Sequence, residues 1–141
     1  MYLQKAKELL ETGAYTCVLL NDTTQYTSTL RGVKPLVEFL EAKSLSPGLS
    51  AADKVVGKAT AYLYVLLQIK DLYANVISEP AIEVLETYKI AVQYKTKVPH
   101  IINRKGDGFC PFESAVIDIH TPEHAYTAIK QKMKELNITL E

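Results

Sequence analysis

Apolar and polar residues follow two rhythms along the chain, and the switches between them lay out the elements. Tyr2, Leu3, Ala6, Leu9 and Leu10 recur at helical spacing with Gly13 as a stop, which predicts an amphipathic helix over the first dozen residues. Tyr15 to Leu20 is rich in aromatic and β-branched residues, Asn21 and Asp22 mark a turn, and Gln25 to Leu30 alternates, which predicts a β-hairpin. Val33, Leu36, Val37, Phe39 and Leu40 predict a short helix with Pro35 in its first turn, ended by Ser46, Pro47 and Gly48. Ser50 and Asp53 stand at capping-box spacing, so a long helix is expected from there to about Ile69. Its stretch Ala59 to Leu67 is apolar nearly all round, the pattern of a helix enclosed by other elements.

Leu72 to Ile77 reads as a buried strand, and Ser78, Glu79 and Pro80 open a helix continued by Ile82, Val84 and Leu85. Ile90 to Tyr94 and Val98 to Ile102 read as two more short strands, with Pro99 at an edge or strand start. Cys110 to about Ile117 fits one or two helical turns or a passage into strand through Val116 to Ile119. The pattern leaves both open. Thr121, Pro122 and Glu123 start a last helix, striped by Ala125, Tyr126, Ile129, Met133 and Leu136. Alternating helices and strands predict an α/β fold in three layers. A length of 141 residues, without repeats or a Gly/Pro-rich linker, predicts one domain over 1–141.

Composition narrows the function classes. With 48% hydrophobic and 23% charged residues, the chain can build a core without staples. Sixteen basic residues balance sixteen acidic ones, which disfavours a general nucleic-acid coat or a polybasic membrane anchor. The expected partner is a small molecule, not nucleic acid or membrane, and homo-oligomers are allowed. The longest uninterrupted apolar run, Ala61 to Leu67, is far short of the roughly 20 residues of a spanning helix. Lys5, Glu8 and Glu11 interrupt the N-terminal apolar residues, unlike a secretory signal. Cys17 and Cys110 read as free thiols, so a cytoplasmic location is expected.

Three segments could carry chemistry. In Asn103 to Glu113, NRKGDGFCPFE, Gly106 and Gly108 can turn N–H groups inward, and Pro111 at a helix start puts Cys110 at an N-cap. Such a turn binds anions, and Arg104 and Lys105 would favour a thiolate, making Cys110 a candidate nucleophile. Glu113 is either a proton-handling carboxylate or only a closer of the cap. In Ala52 to Ala61, Lys54 and Lys58 are four apart, so they are expected on one helical face with Gly57 leaving space between them. The lysines would hold an anion or simply reach solvent, and Asp53 would handle protons or cap. Ser78, Glu79 and Pro80 end a strand and start a helix, where open α/β sheets often bind ligands, although a Ser cap with a Pro start also accounts for them.

The histidines carry less. His120 and His124 straddle a helix start, and His100 stands alone, so all three read as structural or solvated. No H-x-E with P-C-x-x-C, no C-x-x-C and no H-E-x-x-H occurs, and neither does a Walker A or a G-x-G-x-x-G. No metal and no cofactor are expected.

Taken together, TCVLL, RGVKPL, ADKVVGKA, YANVISEPAIEVLE and INRKGDGFCPFESAVID resemble an uncharacterised prokaryotic family placed in the cytidine deaminase-like fold. The resemblance spans nearly the whole chain. It implies a three-layer α/β/α architecture with a mixed central sheet and carries no established activity. In the zinc deaminases of that fold, two helix starts bearing H-x-E and P-C-x-x-C face one metal. By order along the chain, the equivalent starts would be Ala52-Asp53-Lys54 and Ser78-Glu79-Pro80, which offer neither His nor Cys. The resemblance therefore implies a surviving cleft without deaminase zinc chemistry, with Asn103 to Glu113 brought beside it.

The expected function is a site for a small anionic metabolite, nucleotide-like molecules included, with Cys110, Glu113, Asp53 and Lys54 as catalytic candidates. Lys58, Ser78, Glu79, Asn103, Arg104, Gly106 and Gly108 are the ligand-binding candidates. The competing reading is a non-catalytic small-molecule sensing or binding module, and metal binding through Cys110 with carboxylates is a third.

Overall fold

The computed structural model describes residues 2–30, 32–43, 46–103, 105–106 and 108–138. The elements in chain order are α1 (Tyr2–Thr12), β1 (Cys17–Leu20), β2 (Gln25–Ser28), α2 (Lys34–Ala42), β3 (Ser50–Val56), α3 (Lys58–Leu67), β4 (Asp71–Ser78), α4 (Glu79–Thr87), β5 (Ala91–Val98), α5 (Pro111–Ala115) and α6 (Pro122–Glu135). The strands form one five-stranded sheet in the order β2-β1-β3-β4-β5. β1 runs antiparallel to both its neighbours, whereas β3, β4 and β5 are parallel and joined through α3 and α4. The sheet is therefore mixed.

Strand pleating sorts the core. Val18, Leu20, Ala52 and Tyr73 point to the face covered by α1, where they bury Ala6 and Leu10. Cys17, Leu19, Ala51, Leu72 and Ala74 point to the other face, into the larger core shared with α2, α3, α4, α5 and α6. The result is three layers, α/β/α, as expected. Within the larger layer α3 touches α2, α4, α5 and α6, which explains why Ala59 to Leu67 is apolar nearly all round.

The hairpin forms as the sequence pattern predicts, with the Asn21 side chain accepting from the N–H groups of Thr23 and Thr24. Pro35 lies in the first turn of α2, and Ser78 and Thr121 cap α4 and α6 through their side chains. The expected long helix from Ser50 does not form. Ser50 to Val56 is the central strand β3, and the helix begins only at Lys58. The helix-favouring Ala51 and Ala52 are overridden because β3 pairs on both sides, and their small side chains let helices pack close on either face. The strand expected over Val98 to Ile102 does not form, leaving only an isolated bridge from Ile102 to Phe109, and the one expected over Ile90 to Tyr94 is longer, β5 running on to Val98 along β4. Its polar Gln93, Lys95, Thr96 and Lys97 are tolerated because it is an edge strand whose residues are mostly exposed. The segment after Cys110, left open by the pattern, is helical through Ala115 and forms no described strand beyond it.

Leu10 anchors α1 on its face and is 2% exposed. Leu10→Ala is expected to cost about 2–5 kcal/mol, read from urea unfolding, because the strands beneath cannot collapse to refill the space.

Candidate functional site

The carboxyl ends of β3 and β4 and the starts of α3 and α4 lie side by side, and α5 is laid across them. Beside this junction a cavity of about 600 Å³ opens between Cys17, Asp53, Gly57 and Thr60 on one side and Ile101 to Asn103 and Cys110 to Glu113 on the other. Most of its wall is apolar, from Leu30, Val33, Pro35, Val55, Ile102 and Phe112 among others.

The segment before α5 folds back on itself. Ile102 and Phe109 form an antiparallel bridge, the Cys110 N–H donates to the Ile101 carbonyl at 3.1 Å, and the Asn103 N–H donates to the Gly108 carbonyl at 2.8 Å. Gly106, at φ +75°, makes the tip, and its N–H donates to the Asn103 Oδ1 at 2.8 Å. The loop thus carries Asn103 and Cys110 into the cavity wall, while the Gly106 amide is engaged by Asn103 and is not presented there. Gly108 is half-buried and is not among the wall residues. Arg104 lies outside the described residues. Cys110 is the N-cap residue of α5, half-buried, and its side chain makes no capping hydrogen bond.

Glu113 does not reach back to the cap of its own short helix, where the Cys110 N–H is taken by the Ile101 carbonyl. Its carboxyl crosses to α3, where Oε2 accepts from the Ala59 N–H at 3.3 Å, and Oε1 faces the Ser78 hydroxyl at 3.5 Å. Ser78 in turn accepts from the Ala81 N–H at 3.2 Å, capping α4. Burial pushes the Glu113 carboxyl above its ordinary value, while the amides of Ala59 and Lys58, the charge of His100 and the Ser78 hydroxyl pull it back. Gly57 is required by this approach. Its φ of −98° is open to any residue, but a Cβ there would sit 2.6 Å from the Glu113 carboxyl carbon.

Asp53 forms a second buried acid site. Tyr64 donates to its Oδ2 at 2.7 Å and the Val55 N–H to its Oδ1 at 3.3 Å, with the Cys17 thiol 3.3 Å from the Tyr64 hydroxyl. Burial pushes the Asp53 carboxyl up from 3.8 to about 7, against the Tyr64 hydroxyl and the amides of Val55 and Lys54. Burial also pushes the Cys17 thiol and the Tyr64 phenol up, so both stay neutral.

The lysines part company. The residue between them is not inside a helix but caps α3, so Lys54 lies on strand β3 and Lys58 in the first turn of α3. Lys54 is exposed and lines the cavity. Lys58 instead donates to the Ile117 carbonyl at 3.1 Å, with its ammonium 5.9 Å from the Tyr62 ring centre. Ser78 is fully buried behind Glu113, and Glu79 is exposed on α4; neither lines the cavity. Of the expected site, the structure gathers Asp53, Lys54, Asn103, Cys110 and Glu113 around one hollow. The Cys17–Tyr64 pair was not anticipated: Tyr64 sits in an apolar run that reads as packing, and only the register of β1 on β3, which sets Cys17 opposite Asp53, brings it to the acid.

Among the described residues no group of three or more His, Cys, Asp and Glu side chains could hold a metal ion, and no helix is long and apolar enough to cross a membrane. The family model TM1506, a domain of unknown function (DUF1893), matches residues 5–133. The chain belongs to the DUF1893 family. It is similar to the crystal structure of a DUF1893 family protein (TM1506) from Thermotoga maritima, with 27% sequence identity over 93% of this chain and 89% of that chain and a TM-score of 0.85. No curated protein matches the chain.

Two predictions follow from the acids of this DUF1893 chain. Gly57→Ala should destabilise it by about 1–3 kcal/mol, by the overpacking its Cβ would force. In a Glu113→Ala background the same change should cost much less, a double-mutant cycle that isolates the contact. The Asp53 carboxyl is raised on folding, so between its ordinary value of 3.8 and about 7 the folded state binds the extra proton. Stability therefore falls as pH rises through that window and levels off above it. Asp53→Asn should remove this slope, with a gain over the wild type at pH 8 approaching about 4 kcal/mol and little gain near pH 4, read from urea titrations.

Proposed function

We propose that the cavity is a small-molecule site, and that the chain binds a small metabolite whose anionic group meets Lys54 at the mouth while its body lies against the apolar wall. One observation carries this reading. Separate stretches of chain bring a lysine, two cysteines, two carboxylic acids and an asparagine to the wall of one hollow of about 600 Å³, a size suited to a metabolite. If the site turns its ligand over, the Cys110 thiol is the group to attack, because helix capping does not employ it, and Asp53 or Glu113 would move protons. The two free cysteines favour a reducing, cytoplasmic setting. We read the β3-α3-β4-α4-β5 unit as cytidine deaminase-like. The helix starts that fold would turn toward a metal begin here at Gly57-Lys58 and Ser78-Glu79, which offer no His or Cys, so the residues do not supply a deaminase zinc site.

A second reading, a binding module without turnover, is favoured by Glu113 itself, whose carboxyl is engaged by Ala59 and Ser78 as a brace.

The test combines mass spectrometry of metabolites carried by the native protein with iodoacetamide labelling. Cys110 should be alkylated much faster than the buried Cys17, and the carried metabolite should slow labelling of Cys110. Cys110→Ser should retain that metabolite in either case, and loss of turnover in this variant separates the enzyme from the module. No protection of Cys110 by any carried molecule would count against the site.

A further inference from the structure

The polar groups of the cavity are unevenly placed. Among the wall residues Lys54 is exposed, whereas Asp53 and Glu113 are only 9% and 7% exposed, so the acids belong to the part of the wall withdrawn from solvent, which we take as the inner end. Two N–H groups beside it are engaged, the Ala59 amide by Glu113 and the Val55 amide by Asp53. The buried acidic part of the wall therefore offers carboxyl oxygens from both Asp53 and Glu113. An anion pushed inward would lose water and meet acceptors, a doubly unfavourable change.

From this distribution we infer that the inner end of the cavity takes a cationic N–H donor group, an amine or amidine, which pairs with Asp53. The inference rests on the small-molecule reading above and adds to it: the ligand is amphoteric, its anionic end at Lys54 and its basic end inside. Three donors now reach Asp53, the Tyr64 hydroxyl and the amides of Val55 and Lys54, and an ionised carboxylate has about four acceptor positions. A donor from the cavity would complete the set and neutralise the charge.

The groups facing Asp53 are few. From β1 comes Cys17 and from α3 Tyr64, both held neutral by burial; β4 opposes it with Ala74; Lys54 is its neighbour on β3; and Glu113 and Cys110 share the cavity from α5 and its cap. A cation entering the site needs Asp53 ionised, and that carboxyl is raised to about 7 in the free protein. Binding must then release a proton below that pH.

The probe is benzamidinium, with benzoate as its anionic counterpart of the same ring, each titrated into the full chain and followed by amide NMR shifts of the cavity residues. Benzamidinium should bind at least tenfold tighter than benzoate at pH 8. Its affinity should weaken about tenfold per unit below pH 7, as the ionised fraction of Asp53 falls. Asp53→Asn should abolish both the preference and the pH dependence, which separates Asp53 from Glu113; should this variant fail to fold, the wild-type pH profile decides alone. Benzoate binding as tightly as benzamidinium, or a benzamidinium affinity flat from pH 5.5 to 8.5, would overturn the assignment and leave the small-molecule site standing. No cavity shift with either probe would overturn both.

Discussion

A helix that begins inside a protein leaves its first N–H groups without partners, and the arrangement of α3 and α4 places two such beginnings next to each other. The Glu113 carboxyl resolves both. It takes an amide of α3 directly and reaches α4 through the Ser78 hydroxyl, so one side chain ties α5 to both crossover helices. Helix dipoles make this a favourable place for a negative charge, which partly offsets the burial that raises its carboxyl. α5 is only five residues long, and this link adds to the packing of Phe112 and Val116 in the core to fix where it lies. The folded-back loop before it, and with it the cavity, follow.

Asp53 adds a second internal acid to the same hollow without a helix start to receive it. It is met by a phenol and two amides, which only partly counter the burial that raises its carboxyl to about 7. An apolar side chain of similar size would cost the fold less, since buried charge without full pairing is expensive. Perturbed acids beside a cavity are what chemistry and recognition require, and the burial that destabilises Asp53 also sets it to exchange a proton near neutrality.

Periodicity alone located α1, the hairpin, α2, α4 and α6, because each presents one apolar face and carries its own start or stop. Ser50 to Val56 was illegible for a physical reason. Its alanines, lysine and aspartate favour helix locally, and only pairing with strands distant in sequence makes them a strand. The same misreading put Lys54 and Lys58 on one face, when the turn at Gly57 sends them apart. Cys110 and Glu113 were legible as a helix start with chemistry attached. That Gly57 exists to admit Glu113 was not, because the two are far apart in sequence and meet only when α5 crosses the sheet ends.

The glycine-rich turn and helix starts of this sequence suggest an anion site, and in one sense the structure contains one already filled. The amides of Ala59 and Val55 beside the cavity are held by the protein's own carboxyls, and the tip amide of the loop by Asn103. An internal anion tethered by the chain pays no association entropy, so a free anion of similar charge competes poorly for the same donors. The polarity we propose for the hollow is thereby the reverse of a phosphate loop's: the Asp53 and Glu113 carboxyls belong to its buried wall, and Lys54 is an exposed wall residue. In the site we propose, selection of a ligand turns on which end of the molecule carries the proton donors, and a molecule negative at both ends would meet the Asp53 and Glu113 carboxyls without a donor to offer them.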